Sequence, residues 1–261
     1  MVIGRPGTGK SHLARYLAEN FRGTRGPVGL VSADPGQPPF GVPTCAALAL
    51  EAPWQEPQAM WFIGDVSPRG HLLQAVVGTA RLAALARDAG AAAVVIDTSG
   101  LVQGALGTLL KYHKAVAASV DDVVAIQLDG ELEPLLARLA GTCRAIHRLS
   151  PVAEAMDRSR EARREDREAR FRAHLAGGRT HCIGRERVID LDWSFGVGPA
   201  NPAAGTVAGL IDRAGFCLGL GLLDPERSGK LAVYTRWRRW SAVEWVQIGR
   251  PRLTRRGEAV L

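Results

Sequence analysis

Short apolar segments alternate with helical segments along the first two thirds of the chain. The apolar segments, which predict buried strands, cover residues 28–33, 60–64, 91–96, 122–128 and 144–149. Predicted helices cover residues 12–18, 71–89, 131–139 and 151–175, and a further one carries Lys111 and Lys114. Because strands that alternate with helices form parallel sheets with right-handed crossovers, the pattern predicts an α/β fold with a mostly parallel sheet flanked by helices.

The pattern changes after the glycine pair at residues 177–178. Five short apolar segments, separated by Gly, Pro and Asp turns, predict strands at residues 188–191, 207–211, 216–222, 230–235 and 243–248. With 261 residues, the chain holds one large domain or one domain plus a small appendage. We therefore expect an α/β domain over residues 1–178 and a small β-rich C-terminal domain over residues 179–261.

The segment Gly4-Arg5-Pro6-Gly7-Thr8-Gly9-Lys10-Ser11 fits the P-loop pattern G-x-x-x-x-G-K-[ST] and opens a helix. Its glycines allow backbone N–H groups to face phosphate oxygens, Lys10 places a positive charge on the β- and γ-phosphates, and Ser11 offers a hydroxyl to Mg²⁺. The predicted nucleotide-binding residues are Gly4, Gly7, Thr8, Gly9, Lys10, Ser11 and His12. Since only residues 1–3 precede this loop, either the entering strand is very short or the chain lacks a few upstream residues.

Acidic residues follow two of the predicted strands. Asp34 begins the segment Asp34-Pro35-Gly36-Gln37 after the strand at 28–33, and Asp97 closes the strand at 91–96. The ends of such strands are where an α/β sheet places its chemistry. Four hydrophobic residues before an Asp are the usual form of the second NTPase motif, which holds Mg²⁺ directly or through water. A turn-forming role is the alternative for Asp34.

The predicted helix at residues 151–175 is too charged to be buried. Arg160, Arg163, Arg164 and Arg167 recur every three or four residues and share one face. One interpretation is a solvated helix with ion pairs between residues four apart. The other, favoured by the neighbouring P-loop, is an arginine-rich lid that contacts the transferring phosphate.

Composition narrows the function classes. The net charge of +7 suits an anionic polymer, and the segment at residues 236–240 mixes arginine with tryptophan, which favours either nucleic-acid contact or a half-buried strand. No run of about 18 apolar residues predicts a membrane span, and no signal peptide is visible, so we expect a cytoplasmic protein. The four cysteines and six histidines lack metal-binding or redox spacing, so we interpret the cysteines as reduced thiols.

An ordered set of motifs carries a family resemblance. The P-loop at residues 4–11, the Asp34–Gln37 segment, Gly64-Asp65-Val66-Ser67-Pro68, Thr98-Ser99-Gly100-Leu101-Val102-Gln103-Gly104 and the arginine-rich segment at 158–175 follow one another along nearly the whole chain. Together they resemble the polynucleotide 5′-hydroxyl kinases typified by the pre-mRNA cleavage-factor and ribosomal-RNA-processing RNA 5′-kinases. The resemblance implies transfer of the γ-phosphate of ATP, with Mg²⁺, to the 5′-hydroxyl of RNA or DNA.

The resemblance also implies roles for single residues. Asp34 would be the general base, and Lys10 and Ser11 would hold phosphate and metal. The implied metal residues are Ser11, Asp34 and Asp97; the lid arginines are Arg158, Arg163 and Arg167; and the substrate-binding residues are Gln37, Ser67, Thr98, Ser99, Leu101 and Lys111. Leu101 replaces a tryptophan of the eukaryotic members, and Ser32 replaces the first acid of their Asp-x-Asp loop. Asp97, where those kinases often have a neutral residue, either supports Mg²⁺ or competes with Asp34 as the base.

Other functions remain open at this point. A P-loop ATPase switch would hydrolyse ATP slowly and act with a protein partner in nucleic-acid processing. A nucleic-acid-binding module that keeps ATP as a structural ligand is disfavoured by the combination of Lys10, Ser11, Asp34 and the arginines. The chain contains no guanine-reading Asn/Thr-Lys-x-Asp motif. A small-molecule kinase would leave both the basic surface and the C-terminal unit unused.

Overall fold

The computed structural model describes residues 1–50, 52–152, 159–190, 202–225 and 230–260. The helices are α1 (Lys10–Arg25), α2 (Leu72–Asp88), α3 (Gly104–Ala117), α4 (Glu133–Leu139) and α5 (Arg160–Leu175). The strands are β1 (Val2–Gly4), β2 (Val28–Ala33), β3 (Cys45–Ala49), β4 (Ala59–Phe62), β5 (Ala93–Thr98), β6 (Asp122–Ile126), β7 (Ala145–Leu149), β8 (Arg179–Gly184), β9 (Val188–Asp190), β10 (Thr206–Ile211), β11 (Cys217–Pro225), β12 (Lys230–Thr235) and β13 (Trp245–Arg252). Two 3₁₀ turns lie at Arg185–Arg187 and Trp240–Ala242.

The first sheet has seven strands in the order β4-β3-β2-β5-β1-β6-β7. The five strands from β2 to β7 in this order are parallel, whereas β3 is antiparallel to both of its neighbours. The predicted mostly parallel sheet is therefore confirmed. Because β2, β5 and β1 are adjacent and parallel, the segments that follow them meet at one edge of the sheet. Ala33 of β2 pairs with Thr98 of β5, and Val2 of β1 pairs with Asp97.

The second sheet has six strands in the order β8-β12-β11-β10-β13-β9 and confirms the β-rich C-terminal unit. All of its pairings are antiparallel except that of β13 with β9. Trp237 and Trp240 are half-buried, and the Trp240 ring stacks on His181 with centroids 4.5 Å apart. These two tryptophans therefore contribute to the packing of this sheet.

The two sheets share a hydrophobic core. Phe62 and Cys45 of the first sheet belong to the same buried cluster as Ile211, Cys217 and Leu222 of the second. The Sγ atoms of Cys45 and Cys217 lie 3.9 Å apart, and both thiols are buried. The boundary at residues 178/179 stays a prediction, and across it the two units are joined by continuous apolar packing.

Helix α5 begins later than the sequence predicted. Residues 151–152 are not helical, residues 153–158 lie outside the described residues, and the helix starts at Arg160. Ser159 caps it, since its Oγ accepts a hydrogen bond of 3.1 Å from the Ala162 N–H. The prediction of a helix from residue 151 is wrong at its start, because the serine cap was not recognised. The lid prediction for Arg158 falls outside the described residues.

Among the described helices, none is both long enough and apolar enough to cross a membrane.

Candidate active site

The P-loop connects β1 to α1 at the edge where the parallel strands end. Gly9, in the left-handed conformation, directly precedes α1, so backbone N–H groups at the start of the helix are available to an anion. The nearly buried Lys10 donates from Nζ to the Arg5 carbonyl at 2.6 Å, and Thr8 Oγ1 donates to the same oxygen at 2.9 Å. Ser11 and His12 are exposed at the helix start. The loop therefore presents one fixed ammonium group, an exposed hydroxyl and a helix N-terminus to the same space.

Asp34 follows β2 and forms the turn that its sequence context allows. Its Oδ1 accepts hydrogen bonds from the N–H groups of Gly36 at 2.9 Å and Gln37 at 3.2 Å. The carboxylate is half-buried. Since both bonds use Oδ1, forming the turn is compatible with a chemical role for the second carboxylate oxygen.

Two close approaches draw neighbouring loops onto the P-loop edge. A Cβ on Gly36 would lie 2.5 Å from the Val66 carbonyl, so only glycine lets the Asp34–Gln37 turn contact the segment at residues 64–68. A Cβ on Gly100 would lie 2.6 Å from the Pro6 ring, so the loop after β5 packs directly against the P-loop. Ser67, within the first of these loops, accepts a hydrogen bond from the Arg69 N–H at 3.2 Å.

The residues that end β5 are largely enclosed. Thr98 Oγ1 donates to the Val2 carbonyl at 2.8 Å, which ties β5 to β1. Ser99 is buried, and its carbonyl accepts a hydrogen bond from Lys111 at 2.6 Å. Leu101 is half-buried and packs against the core that α2 and α3 cover. Of the substrate-binding residues predicted in this segment, Leu101 therefore has the most accessible side chain.

Asp97 is a buried carboxylate beside the P-loop. It is 1% exposed, and neither of its oxygens has a hydrogen-bond partner of normal geometry among the described residues. Burial raises its pKa to about 6, and the Asp34 charge acts in the same direction. The Ser11 hydroxyl and the ammonium groups of Lys10 and Lys111 act against this rise in pKa.

This arrangement fits the magnesium ion that the resemblance implies. Mg²⁺ takes oxygen ligands from one or two carboxylates and completes its shell with waters and substrate phosphates. The unpartnered oxygens of Asp97 next to the exposed Ser11 hydroxyl provide donors of this kind. The described residues contain no group of three or more His, Cys, Asp or Glu side chains that would form a complete protein cage. The donor set suits an ion held jointly with a phosphate ligand.

Asp97→Asn is expected to stabilise the protein at pH 8 when nucleotide and metal are absent. In wild type, the unfolded carboxyl ionises near pH 3.8 and the folded one near pH 6, so stability falls as pH rises through this window and stays lower above it. The variant lacks this loss, which amounts to at most about 3 kcal/mol. Urea unfolding of both proteins between pH 4 and pH 8 measures the difference. Parallel stability curves for the two proteins would contradict the assigned burial cost.

The four arginines of α5 that the spacing places on one face divide into two pairs. Arg163 and Arg167 are half-buried, whereas Arg160 and Arg164 are exposed. Arg164 Nε contacts Glu168 Oε1 at 2.8 Å, one turn further along the helix. Burial lowers the pKa of Arg167, as does the charge of Arg163, while the nearby carboxylates, including that of Asp34, raise it. The ion pair between residues four apart that the first interpretation predicts is therefore present, and the arginine-rich lid stays a prediction that rests on Arg163 and Arg167.

Gln37 connects the Asp34 turn to α5. Its Nε2 donates to the Gly36 carbonyl at 2.7 Å and to the Arg163 carbonyl at 3.2 Å. The side chain to which the resemblance assigned substrate binding thus also joins the turn to the arginine helix. This contact fixes the position of Arg163 relative to Asp34.

Two lysines of α3 are buried, although lysines in helices are ordinarily exposed. Lys111 was predicted to bind substrate, but it has no exposed surface and bonds to Ser99. Lys114, which had no predicted role, is equally buried and donates to the Ala33 carbonyl at 3.1 Å. Their spacing of three residues places the two lysines on one side of α3, but it does not by itself show that this side is buried.

The fold and this site define a P-loop nucleotide-binding protein of the parallel α/β type. Residues 4–177 match the family model described as mRNA cleavage and polyadenylation factor CLP1 P-loop. The chain belongs to this family, which confirms the resemblance predicted from the motifs.

Curated relatives extend the similarity beyond the P-loop region. The polyribonucleotide 5′-hydroxyl-kinase of Pyrococcus furiosus is 30% identical over 195 residues, which cover 72% of this chain and 54% of the relative. The chain thus aligns with about half the length of that relative. The polyribonucleotide 5′-hydroxyl-kinase of Pyrococcus abyssi is 27% identical over 319 aligned positions, covering 99% of this chain and 88% of the relative.

A solved structure shows the same fold. The wild-type Clp1p–Pcf11p (454–563) complex matches with a TM-score of 0.69 at 14% identity, over 96% of this chain and 73% of that chain. The similarity therefore includes both the parallel sheet and the β-rich C-terminal unit.

Proposed function

We propose that the protein is an ATP-dependent polynucleotide 5′-hydroxyl kinase that transfers the γ-phosphate to the 5′-hydroxyl end of RNA. One observation carries this proposal: three groups lie together at one edge of the sheet. They are Asp34, the P-loop with Lys10, and the half-buried α5 arginines Arg163 and Arg167. Phosphoryl transfer needs positioning and charge neutralisation, and these groups supply both. The names of the archaeal relatives support RNA as the acceptor.

The reaction assigns a role to each group. Asp34 accepts the proton of the 5′-hydroxyl while the hydroxyl oxygen forms a bond to the γ-phosphorus. The bond between the γ-phosphorus and the oxygen that bridges it to the β-phosphate breaks, and ADP is released. Lys10 and Arg167 neutralise charge on the phosphates, and Arg163 adds a second guanidinium. Bound Mg²⁺, held through Ser11 and Asp97, would neutralise phosphate charge. Half-buried Leu101 and the Ser67 loop would contact the terminal nucleotide.

The setting of the reaction is part of the same proposal. Cys45, Cys143 and Cys217 are unbridged thiols, which supports a reducing, cytoplasmic compartment. Contacts with the terminal sugar decide whether the enzyme also accepts DNA. The test therefore includes both RNA and DNA.

The test is a transfer assay with γ-labelled ATP, Mg²⁺ and matched 5′-hydroxyl RNA and DNA oligonucleotides. We expect label on the RNA ends, and no label on 5′-phosphorylated controls or free nucleosides. The ratio of RNA to DNA labelling measures the sugar preference. Label that appears only as free phosphate, at a rate no oligonucleotide changes, would contradict the kinase proposal and favour a P-loop ATPase switch that acts with a protein partner.

A further inference from the structure

Two lysines lie directly beneath the candidate active site without reaching solvent. Lys111 and Lys114 are one turn apart on α3, and both are 0% exposed. Neither can contact a bound polynucleotide in this structure. Their position therefore calls for an explanation other than direct substrate binding.

Each lysine holds the end of a different strand. Lys111 Nζ donates to the Ser99 carbonyl at 2.6 Å, just after β5, and lies 3.4 Å from the Ser99 Oγ. Lys114 Nζ donates to the carbonyl of Ala33, the last residue of β2, at 3.1 Å. Since Ala33 pairs with Thr98 across the two strands, one turn of α3 holds the residue before Asp34 and the residue after Thr98.

Packing alone does not explain why positions 111 and 114 are lysines. Moving an ammonium group out of water is costly, and an apolar side chain of similar volume fills a buried position at lower free energy. Burial lowers the pKa of Lys114 to about 8, and burial with the charges of Lys114 and Lys10 lowers that of Lys111 well below its usual range. The carboxylates of Asp34 and Asp97 offset part of this cost for both lysines.

We propose that Lys111 and Lys114 are positioning residues for phosphoryl transfer, which act from beneath the site by fixing the ends of β5 and β2. This inference rests on the proposed kinase function. Lys114 holds the backbone from which Asp34 projects, and Lys111 holds the loop that packs on the P-loop at Gly100. The two lysines thereby fix the distance between the ends of β2 and β5, so the proposed base Asp34 keeps its position relative to the P-loop.

The test compares Lys114→Met and Lys111→Met with wild type and with Leu110→Met, a buried control on the same helix. Methionine keeps most of the lysine volume but removes the charge and the hydrogen bond. We expect kcat to fall about 10- to 100-fold, the range that small misplacements of reacting groups cost. The KM for ATP should change less than about threefold. Tm should fall only modestly, because the lost desolvation cost of the ammonium group offsets part of the lost hydrogen bond. Leu110→Met should keep both kcat and Tm.

The outcomes separate this inference from the proposed function. If wild type transfers no phosphate to any 5′-hydroxyl end, the kinase proposal fails before the variants are compared. If wild type is active and both lysine variants keep its kcat per folded molecule, the positioning role is wrong. A lowered Tm with unchanged kcat would assign the lysines to stability alone. Should one variant not fold, the other still tests the inference, because each lysine holds a different strand.

Discussion

Arg167→Ala is expected to lower kcat for phosphoryl transfer by about 10³-fold or more, since a positioned arginine contributes about 10³–10⁵ in other phosphotransferases. The reason lies in its place on α5. Arg167 is half-buried, adjoins Arg163 on the next turn, and is close enough to Asp34 for the carboxylate to affect its pKa. ATP affinity should change far less than kcat, because the P-loop remains intact. Steady-state kinetics with labelled ATP and a 5′-hydroxyl RNA measure both quantities.

Arg164→Ala is the matched control for this variant. It removes the same side chain from the same helix, but Arg164 is exposed and forms an ion pair with Glu168. An ion pair whose arginine is solvent-exposed contributes little to stability, so both Tm and kcat should remain close to wild type. Equal loss of kcat in the two variants would mean that α5 acts through its general charge, and that the inward position of Arg167 has no special role.

Asp34→Asn is expected to lower kcat by about 10²–10⁴-fold, the usual contribution of a general base. This variant is well matched to the structure. The asparagine carbonyl can still accept the hydrogen bonds from the N–H groups of Gly36 and Gln37, so the turn is kept while the proton acceptor is lost. Nucleotide binding, measured by calorimetry, should therefore persist.

Asp97→Asn separates the two carboxylates by role. If Asp97 supports Mg²⁺, its loss should raise the Mg²⁺ concentration needed for half-maximal rate, and excess Mg²⁺ should restore much of the activity. The same treatment should not rescue Asp34→Asn. An active Asp34→Asn together with an Asp97→Asn that no Mg²⁺ concentration restores would reverse the assignment of the base.

Much of the fold was accessible from the sequence because buried parallel strands have a strong local signature. The apolar run at residues 28–33 coincides with β2, and the acidic residues that follow or close β2 and β5 lie at one edge as expected. Strand β3 was missed, since its residues Cys45–Ala49 lie in an alanine- and proline-rich segment without a strand signature. Strand β8 was missed because its edge position allows polar and exposed residues.

The site was predictable only up to the point where tertiary packing decides orientation. The P-loop and Asp34 were identified because each lies in a motif of consecutive residues. Helical spacing placed four arginines on one face, but only the packing of α5 against the Asp34 turn separates Arg163 and Arg167 from the exposed pair. A lysine in an amphipathic helix is ordinarily expected at the surface, so the burial of Lys114 could not be inferred from pattern alone.

The apolar packing between the two sheets has a consequence for how the chain folds during synthesis. Strands β3 and β4, which border the parallel sheet, bury Cys45, Met60 and Phe62 against residues of β10 and β11. A ribosome releases the first sheet completely before those later strands emerge, so this apolar surface stays open to solvent in the interval. We therefore expect the nascent parallel sheet to be prone to aggregation until translation passes residue 225 and β10 and β11 cover this apolar surface.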